Sequence, residues 1–287
     1  MKLLVVGATG QLGSAVVESC ADLEVVGCSH TDLDVTDHRS VARVLADQRP
    51  DVVVNCSAFN DVDAAEHAAA CALAVNTFGV GALARHAAAV GARLVHYSTD
   101  FVFDGRGDHT YTEDDAPSPQ SVYAASKLMG EWLAQEASRS LVFRVESLFG
   151  GPRPRSSVDR IVEGLDAGRE VHAFVDRTIS PSYVHDVAAA TRAALEAEIP
   201  PGLYHCVNAG RTTWYALAVE AARLLGSSST IVPTPVEAIA GRAPRPTCSP
   251  LSAAKLARLG ITLPPWQDAL RRHIAVRRAG GAQADSA

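Results

Sequence analysis

Short runs rich in β-branched residues alternate with longer, alanine-rich stretches through the first half of this 287-residue chain. A short run that is apolar throughout is typical of a strand buried on both faces, which requires a parallel sheet covered by helices. The alternation therefore predicts a doubly wound α/β fold. The runs lie at residues 3–6, 24–26, 52–54, 93–96 and 141–143.

The stretches between these runs predict helices, and Asp37 is the expected N-cap of the second one because its side chain can accept from free N–H groups. After Phe149 the rhythm breaks at a turn-rich stretch. The helices are expected from about Gln11, over 37–48, within 63–90 and over 122–137, and later over 187–195, 215–225, 252–259 and 265–276. A strand over 203–207 and a long, proline-rich loop over 232–250 complete the expected elements.

The first strand runs directly into a glycine-rich turn that opens the first helix. Gly7 permits the tight turn, Gly10 lets the backbone approach a pyrophosphate, and Gly13 lets the helix pack closely on the sheet. The free N–H groups and the dipole at the helix start then favour phosphate. Strand, glycines and helix in this order predict a Rossmann-type dinucleotide site that includes Thr9 and Gln11.

The end of the second strand bears on the choice of dinucleotide. An acidic residue there binds the ribose 2′-hydroxyl of NAD, but this chain has Ser29 and His30 after Cys28. The missing charge allows NADPH, and Asp32 close by leaves NADH open. We therefore expect NADPH or NADH as the cofactor.

We divide the chain into a dinucleotide-binding Rossmann domain, 1–149, which includes the helix over 122–137, and a smaller, less regular substrate-binding lobe, 150–278. Whether elements of the lobe return to the first domain stays open. The small, polar stretch over 279–287 is expected to be a disordered tail.

Composition excludes several classes of protein. Hydrophobic residues make up 47% and charged residues 20% of the chain, which is ordinary for a globular protein. The net charge of −6 gives no basic footprint for nucleic acid, and no apolar run is long enough to span a bilayer. The N-terminus lacks the pattern of a secretory signal, and six scattered cysteines fit a reduced cytoplasm. The ten histidines show no metal-ligand spacing, so we expect no metal.

A second motif suggests proton transfer. Tyr123 and Lys127 are four residues apart, which puts phenol and ammonium on one helix face. A nearby ammonium is expected to lower the pKa of the phenol and make it a usable acid or base. Thr99 and Ser98 follow the fourth strand, at the edge where open α/β sheets bind ligands, and either hydroxyl can position a substrate oxygen.

Together these motifs resemble the extended short-chain dehydrogenases/reductases, and more closely the dTDP-4-dehydrorhamnose reductase (RmlD-like) family. The resemblance covers nearly the whole chain and is most specific in its first half. The matching segments are 7–13 (GATGQLG), 33–37 (LDVTD), 51–66 (DVVVNCSAFNDVDAAE), 75–76 (VN), 98–105 (STDFVFDG) and 123–127 (YAASK), with weaker matches over 204–205, 208–210 and 213–214.

The resemblance implies NAD(P)H-dependent reduction of the 4-keto group of a nucleotide-linked, dTDP-carried 4-keto-6-deoxyhexose in deoxysugar biosynthesis. The implied catalytic residues are Thr99, Tyr123 and Lys127. With the glycine turn, the expected cofactor contacts are Gly7, Thr9, Gly10, Gln11, Leu12, Gly13, Ser29, His30, Asp34, Val35, Ser57, Ala58, Phe59, Tyr97, Tyr123 and Lys127. The expected substrate contacts are Thr99, Asp100, Phe101 and Ser147.

Two departures from the family pattern fall in the sugar pocket. Phe101 stands where the family has a tyrosine, and Ser147 stands at the family's tryptophan, with Glu146 beside it. The hexose itself is therefore left open. Candidates for the substrate diphosphate, chosen because guanidinium groups bind phosphate oxygens in a fork, are Arg153, Arg155, Arg242 and Arg245.

Two alternatives remain at this point. One is a nucleotide-sugar epimerase or dehydratase that reuses a bound NAD. The other is a non-catalytic regulatory subunit of the same fold, which would have no need of Thr99, Tyr123 and Lys127 together. The expected partner is a nucleotide sugar, without nucleic acid or membrane, and a homodimer is possible.

Overall fold

Six parallel strands form the central sheet of the computed structural model, which describes residues 1–152, 156–238 and 242–284. In chain order the strands are β1 (Lys2–Val6), β2 (Glu24–Cys28), β3 (Val52–Asn55), β4 (Arg93–Thr99), β5 (Leu141–Val145), β6 (Leu148–Phe149), β7 (Val171–Phe174), β8 (Thr178–Ile179), β9 (Ser182–Tyr183), β10 (Gly202–His205), β11 (Thr212–Thr213) and β12 (Ile231–Thr234). The central sheet has the order β10-β5-β4-β3-β1-β2, and all its pairs are parallel.

The helices cover this sheet and build the rest of the molecule. They are α1 (Gln11–Ser19), α2 (His38–Gln48), α3 (Val62–His67), α4 (Ala69–Leu73), α5 (Val80–Ala89), α6 (Val122–Gln135), α7 (Ser157–Asp166), α8 (Val184–Glu196), α9 (Trp214–Leu225), α10 (Ala254–Ala257) and α11 (Trp266–Ala284). A π-helical turn (Ala74–Gly79) joins α4 to α5, and 3-10 turns span Asp100–Val102 and Val236–Ala238.

Alternate residues of β1 enter opposite cores, which confirms the predicted α/β fold. Leu3 and Val5 pack with residues of α1 and α8 on one face, while Leu4 and Val6 pack with residues of α2 and α5 on the other. Such two-sided burial explains why the strands lack an alternating polar pattern. The predicted cap is present too, since the Asp37 side chain accepts from two backbone N–H groups at the start of α2.

The strand order reverses beside β1, which positions the candidate site. Val6 pairs with Cys28 of β2 on one side and with Asn55 of β3 on the other. The carboxyl ends of β1, β3 and β4 therefore meet at one edge, and in open α/β sheets ligands bind outside such a switch point.

The second half of the chain contributes to both parts of the molecule. The strand β10 pairs with β5, and α8 packs on α1, so these elements return to the central sheet. The helices α7, α9 and α11 build a second core around Phe149, Leu217 and Leu270. No helix in the described residues has the length and apolar character needed to cross a membrane.

Two predicted stretches differ from the structure. The loop expected over 232–250 begins later, because β12 pairs with β7 and keeps Pro233 within a strand. The helix α11 continues to Ala284, past residue 279, where we expected the tail to begin. Residues 285–287 of that predicted tail lie outside the described residues.

Candidate active site

The glycine turn after β1 has the shape that a bound phosphate requires. Gly7 has a φ of +76°, and its N–H and that of Ala8 both donate to the Cys28 carbonyl. A Cβ on Gly13 would lie 2.1 Å from the Gly7 carbonyl oxygen, so only glycine lets α1 approach this closely. Gly10 is the N-cap of α1, and no side chain of the described residues caps this helix start. The backbone N–H groups of the first turn therefore remain available to a pyrophosphate.

A cleft of 610 Å³ lies at this edge of the sheet and brings most of the predicted site residues together. Its lining runs from the glycine turn through the ends of β3 and β4 to α6. The predicted residues that line it are Thr9, Gly10, Gln11, Leu12, Ser57, Ala58, Tyr97, Thr99, Asp100, Phe101, Tyr123, Lys127 and Ser147.

Tyr123 and Lys127 enter this cleft from the first turns of α6. Ser121 caps the helix by accepting from the Ala124 N–H. The Tyr123 ring meets the Phe101 ring edge to face, with centroids 5.8 Å apart. The Lys127 ammonium donates to the Tyr97 carbonyl oxygen over 2.6 Å at the end of β4.

Burial sets the protonation of both groups. Burial raises the pKa of Tyr123, a hydrogen bond with Thr99 lowers it in part, and the charge of Asp100 raises it further. Burial lowers the pKa of Lys127 to about 8. Our expectation that the ammonium lowers the pKa of the phenol was therefore wrong for this arrangement, in which Lys127 engages the Tyr97 carbonyl and burial dominates. Tyr123 holds its proton at neutral pH.

Thr99 and Asp100 form a hydrogen-bonded pair where β4 ends. The Thr99 hydroxyl donates to Asp100 Oδ1 over 3.1 Å and accepts from the Phe101 N–H. Burial raises the pKa of Asp100 to about 6, against hydrogen bonds from Ser249 and Thr99 and the charge of Arg177. This carboxyl can therefore change its charge near neutral pH.

Sequence reasoning missed Arg177, which also lines the cleft. Its guanidinium lies over the Phe101 ring, 5.4 Å from the centroid, and its buried Nε has no hydrogen-bond partner among the described residues. No motif marks this arginine, since it lies in the irregular segment before β8. Trp214 lines the cleft as well, at the start of α9.

The remaining predicted cofactor residues lie outside the cleft lining. Ser29 bonds to Thr31 and Asp32, Asp34 accepts from Thr36, and the Phe59 N–H donates to Asn76. Outside it are Gly7, Gly13, Ser29, His30, Asp34, Val35 and Phe59. Gly7 and Gly13 shape the turn from beneath, and roles for the other five stay predictions.

Of the four candidate arginines for a diphosphate, Arg245 lines the cleft. It forms a paired interaction with Asp63 at 2.8 Å, which ties the loop over 242–247 to α3. Arg242 is exposed, and Arg153 and Arg155 lie outside the described residues. Within 1–152, 156–238 and 242–284, no group of three or more His, Cys, Asp and Glu residues could hold a metal ion.

Comparison with known proteins agrees with this architecture. The family model described as the RmlD substrate binding domain matches residues 1–278. The dTDP-4-dehydrorhamnose reductase of Burkholderia thailandensis is 36% identical over 289 residues, covering 94% of this chain and 97% of that protein.

Two solved structures share the fold over nearly their whole length. The dTDP-4-dehydrorhamnose reductase from Clostridium acetobutylicum has a TM-score of 0.92 and 30% identity, covering 97% of this chain and 100% of that one. The dTDP-4-dehydrorhamnose reductase from Bacillus anthracis, in complex with NADP, has a TM-score of 0.91 and 28% identity, covering 96% of this chain and 99% of that one. The chain thus belongs to the RmlD substrate-binding-domain family, in agreement with the resemblance of its motifs.

Proposed function

We propose that this chain is an NAD(P)H-dependent reductase of the 4-keto group of a nucleotide-linked, dTDP-carried 4-keto-6-deoxyhexose, acting in deoxysugar biosynthesis. The observation that carries the proposal is one cleft lined by Tyr123, Lys127 and Thr99 together with the glycine turn at Gly10. The names of its relatives, dTDP-4-dehydrorhamnose reductases, support the substrate class.

The residues present fit a dinucleotide. The open N–H groups at the start of α1 suit its pyrophosphate. Position 13, beneath the turn, has no room for a Cβ and is occupied by glycine. Ser57, Ala58 and Tyr97 line the cleft on the side of Lys127, where the ribose and nicotinamide would be held. When bound, the reduced dinucleotide supplies a hydride to the carbonyl carbon.

Tyr123 is the proton donor in this proposal. Because burial raises its pKa, the phenol enters the reaction protonated, as an acid must. Its hydroxyl proton passes to the alkoxide oxygen as the carbonyl is reduced, which leaves a phenolate on Tyr123. Lys127, held by its bond to the Tyr97 carbonyl, offers its remaining N–H donors to a ribose.

Thr99 orients the carbonyl group through its hydroxyl, which lies beside Tyr123 and can donate to the substrate oxygen once it turns away from Asp100. Phe101 and Ser147 shape the sugar pocket, with Arg177 above the Phe101 ring. Arg245 is the candidate for the diphosphate, because its guanidinium already lines the cleft.

We also propose the division into a dinucleotide-binding part over 1–149 and a substrate-binding lobe over 150–278. The separate second core around Leu217 supports it, while the pairing of β10 with β5 means that the lobe is not independent of the sheet.

We further propose a cytoplasmic homodimer without nucleic-acid partners. The net charge of −6 and six unpaired cysteines support the location and the absence of nucleic acid. Phe78 and Trp132, 57% and 58% exposed, lie on neighbouring segments and support a contact between copies. Light scattering with a Trp132→Asp variant tests the dimer, which this charge should dissociate.

A panel of nucleotide-linked 4-ketohexoses, each assayed with NADPH and with NADH, tests the reaction. We expect loss of absorbance of the reduced cofactor and a 4-hydroxy product with the dTDP-linked 6-deoxy sugar. Tightly bound NAD with no need for added cofactor would indicate an epimerase or dehydratase instead. Co-purification with a larger enzyme and no reductase activity would indicate a regulatory subunit.

A further inference from the structure

Two buried carboxyl groups, one at the cleft and one behind it, share a single hydroxyl. Ser249 Oγ lies 2.8 Å from Asp100 Oδ2 and 3.3 Å from Glu146 Oε1. The other Glu146 oxygen accepts from the Ser180 N–H over 2.7 Å, and the other Asp100 oxygen accepts from Thr99. Glu146 and Asp100 are 1% and 2% exposed, so water does not compete for these contacts.

The hydrogen count at Ser249 favours an extra proton. A serine hydroxyl has one hydrogen, which cannot form a full hydrogen bond to two carboxylates at once. The shorter contact assigns that hydrogen to Asp100. Among the described residues, Glu146 Oε1 then has no other donor, unless it carries a proton and itself donates to Ser249 Oγ. A buried carboxylate without a donor is costly, so the protonated form is favoured.

We propose that Glu146 is a positioning residue that stores a proton, shared with Asp100 through Ser249, and that the position of this proton controls the direction of the Thr99 hydroxyl. The proposal rests on the proposed reductase function and adds a regulatory step to the same site. It gives Glu146, which departs from the pattern of the resembled family, a specific task.

The charged and titratable groups around the pair agree with a shared proton. Burial is the largest cause that raises the pKa of Glu146 well above its usual range, and the charge of Asp100 raises it further. Arg177 is the cation that opposes this effect on both carboxyls. Tyr123 and Cys248 also face the pair, and each has its pKa raised by a carboxyl of the pair in addition to burial.

The transfer is neutral and balanced. The Glu146 Oε1–H bond breaks as a proton moves to Ser249 Oγ, and the Ser249 hydrogen moves to Asp100 Oδ2. Glu146 becomes a carboxylate and Asp100 a carboxylic acid, with no change in total charge. A neutral carboxyl is a weaker acceptor than a carboxylate. Thr99 is then free to turn its hydrogen from Asp100 Oδ1 to the substrate oxygen.

The stored proton can be tested without substrate, through Glu146→Gln. A raised folded-state pKa means that the folded protein binds more protons than the unfolded chain, so stability falls as pH rises above the unfolded value of about 4.3. Glutamine does not titrate and can keep both hydrogen bonds. We therefore expect the Tm difference between Glu146→Gln and wild type to rise by about 3 °C or more, in favour of the variant, from pH 4.5 to pH 8.

Glu136→Gln, which changes an exposed glutamate directly after α6, is the matched control and should show no such pH-dependent gain. An equal Tm difference at pH 4.5 and pH 8 for Glu146→Gln would overturn the stored proton. This measurement uses no sugar, so its outcome does not depend on whether the proposed substrate is correct.

Turnover tests the link to Thr99. In Glu146→Gln the proton cannot move to Asp100, so kcat at pH 8 should fall about tenfold, less than the ~10²-fold or more typical of losing an oxyanion donor itself. The KM for NADPH should not change. The defect should shrink below about pH 6, where Asp100 takes a proton from solvent. If Glu146→Gln kept the wild-type kcat and pH profile, the link between the stored proton and Thr99 would be contradicted.

A measurement on the wild-type protein guards against a variant that fails to fold. Infrared spectra at pH 8, with and without ¹³C-labelled glutamate, should show a carboxylic-acid carbonyl band that moves on labelling. Absence of a glutamate-derived band at pH 8 would overturn the proposal.

Discussion

The Lys127 ammonium donates to the main-chain carbonyl of Tyr97 over 2.6 Å, which joins α6 to the end of β4. This contact holds a buried cation at the sheet edge, beside the glycine turn and Tyr123. It also explains why Lys127 acts on the cleft as a charge and a donor, while burial governs the pKa of the phenol.

Binding of NADPH should weaken as pH rises through about 8. Burial lowers the pKa of Lys127 to about 8, so the ammonium that holds the ribose loses its charge there. Loss of a charged hydrogen bond costs about tenfold in affinity or more. Fluorescence titrations with NADPH from pH 7 to pH 9.5 measure this loss of affinity. Lys127→Arg should remove the decline because arginine stays charged, whereas Lys255→Arg, outside the cleft, should keep it.

Gly13→Ala should abolish dinucleotide binding. The new Cβ would lie 2.1 Å from the Gly7 carbonyl oxygen, so the turn must open, at a cost of about 1–3 kcal/mol in unfolding free energy. Gly91→Ala is the control, since Gly91 has a φ of +76° but an open surrounding. Urea unfolding should show a loss for both variants. Retained NADPH affinity in Gly13→Ala would contradict the role of the turn.

Asp32→Ser should shift the cofactor preference towards NADPH. The Asp32 carboxylate accepts from the Ser29 N–H and hydroxyl at the end of β2, and these bonds lower its pKa. Its charge would repel a 2′-phosphate by about 1 kcal/mol in water. We expect the NADPH to NADH ratio of kcat/KM to rise about fivefold at low salt. The control Asp47→Ser, on α2, should leave the ratio unchanged. If Asp32→Ser also left it unchanged, a role for Asp32 in cofactor choice would be excluded.

Arg245→Ala should raise the KM for the nucleotide sugar. A guanidinium bonded to phosphate contributes about 1.5–3 kcal/mol, which corresponds to about tenfold or more in affinity. The KM for NADPH should stay the same, because no backbone hydrogen bond among the described residues joins this loop to the glycine turn. Arg85→Ala, at an exposed position on α5, is the control. A normal sugar KM in Arg245→Ala would remove the arginine from the site.

The sheet could be predicted because its signal is local. Leu3 and Leu4 enter opposite cores, so the strand needs an unbroken apolar run that is visible in sequence. The glycine turn and the cap at Asp37 are local in the same way. The start of α11 was also predicted, but its end was not, because Gly280 and Gly281 are typical of a helix end and yet α11 continues to Ala284.

The chemistry behind the cleft was not predictable because its contacts span long sequence distances. Asp100 and Ser249 are 149 positions apart, and Glu146 reaches Ser249 across 103 positions. No spacing pattern reports such a meeting. The spacing of Tyr123 and Lys127 put both side chains at the cleft, but it carried no information on burial, which sets the pKa of each group.

Turnover by Tyr123→Phe with a dTDP-linked 4-keto-6-deoxyhexose and NADPH tests the account most directly. Without the phenolic proton, kcat should fall by about 10²- to 10⁴-fold, while the dissociation constant for NADPH stays at the wild-type value. A variant that reduces the sugar at nearly the wild-type rate would contradict the assignment of Tyr123 as the proton donor.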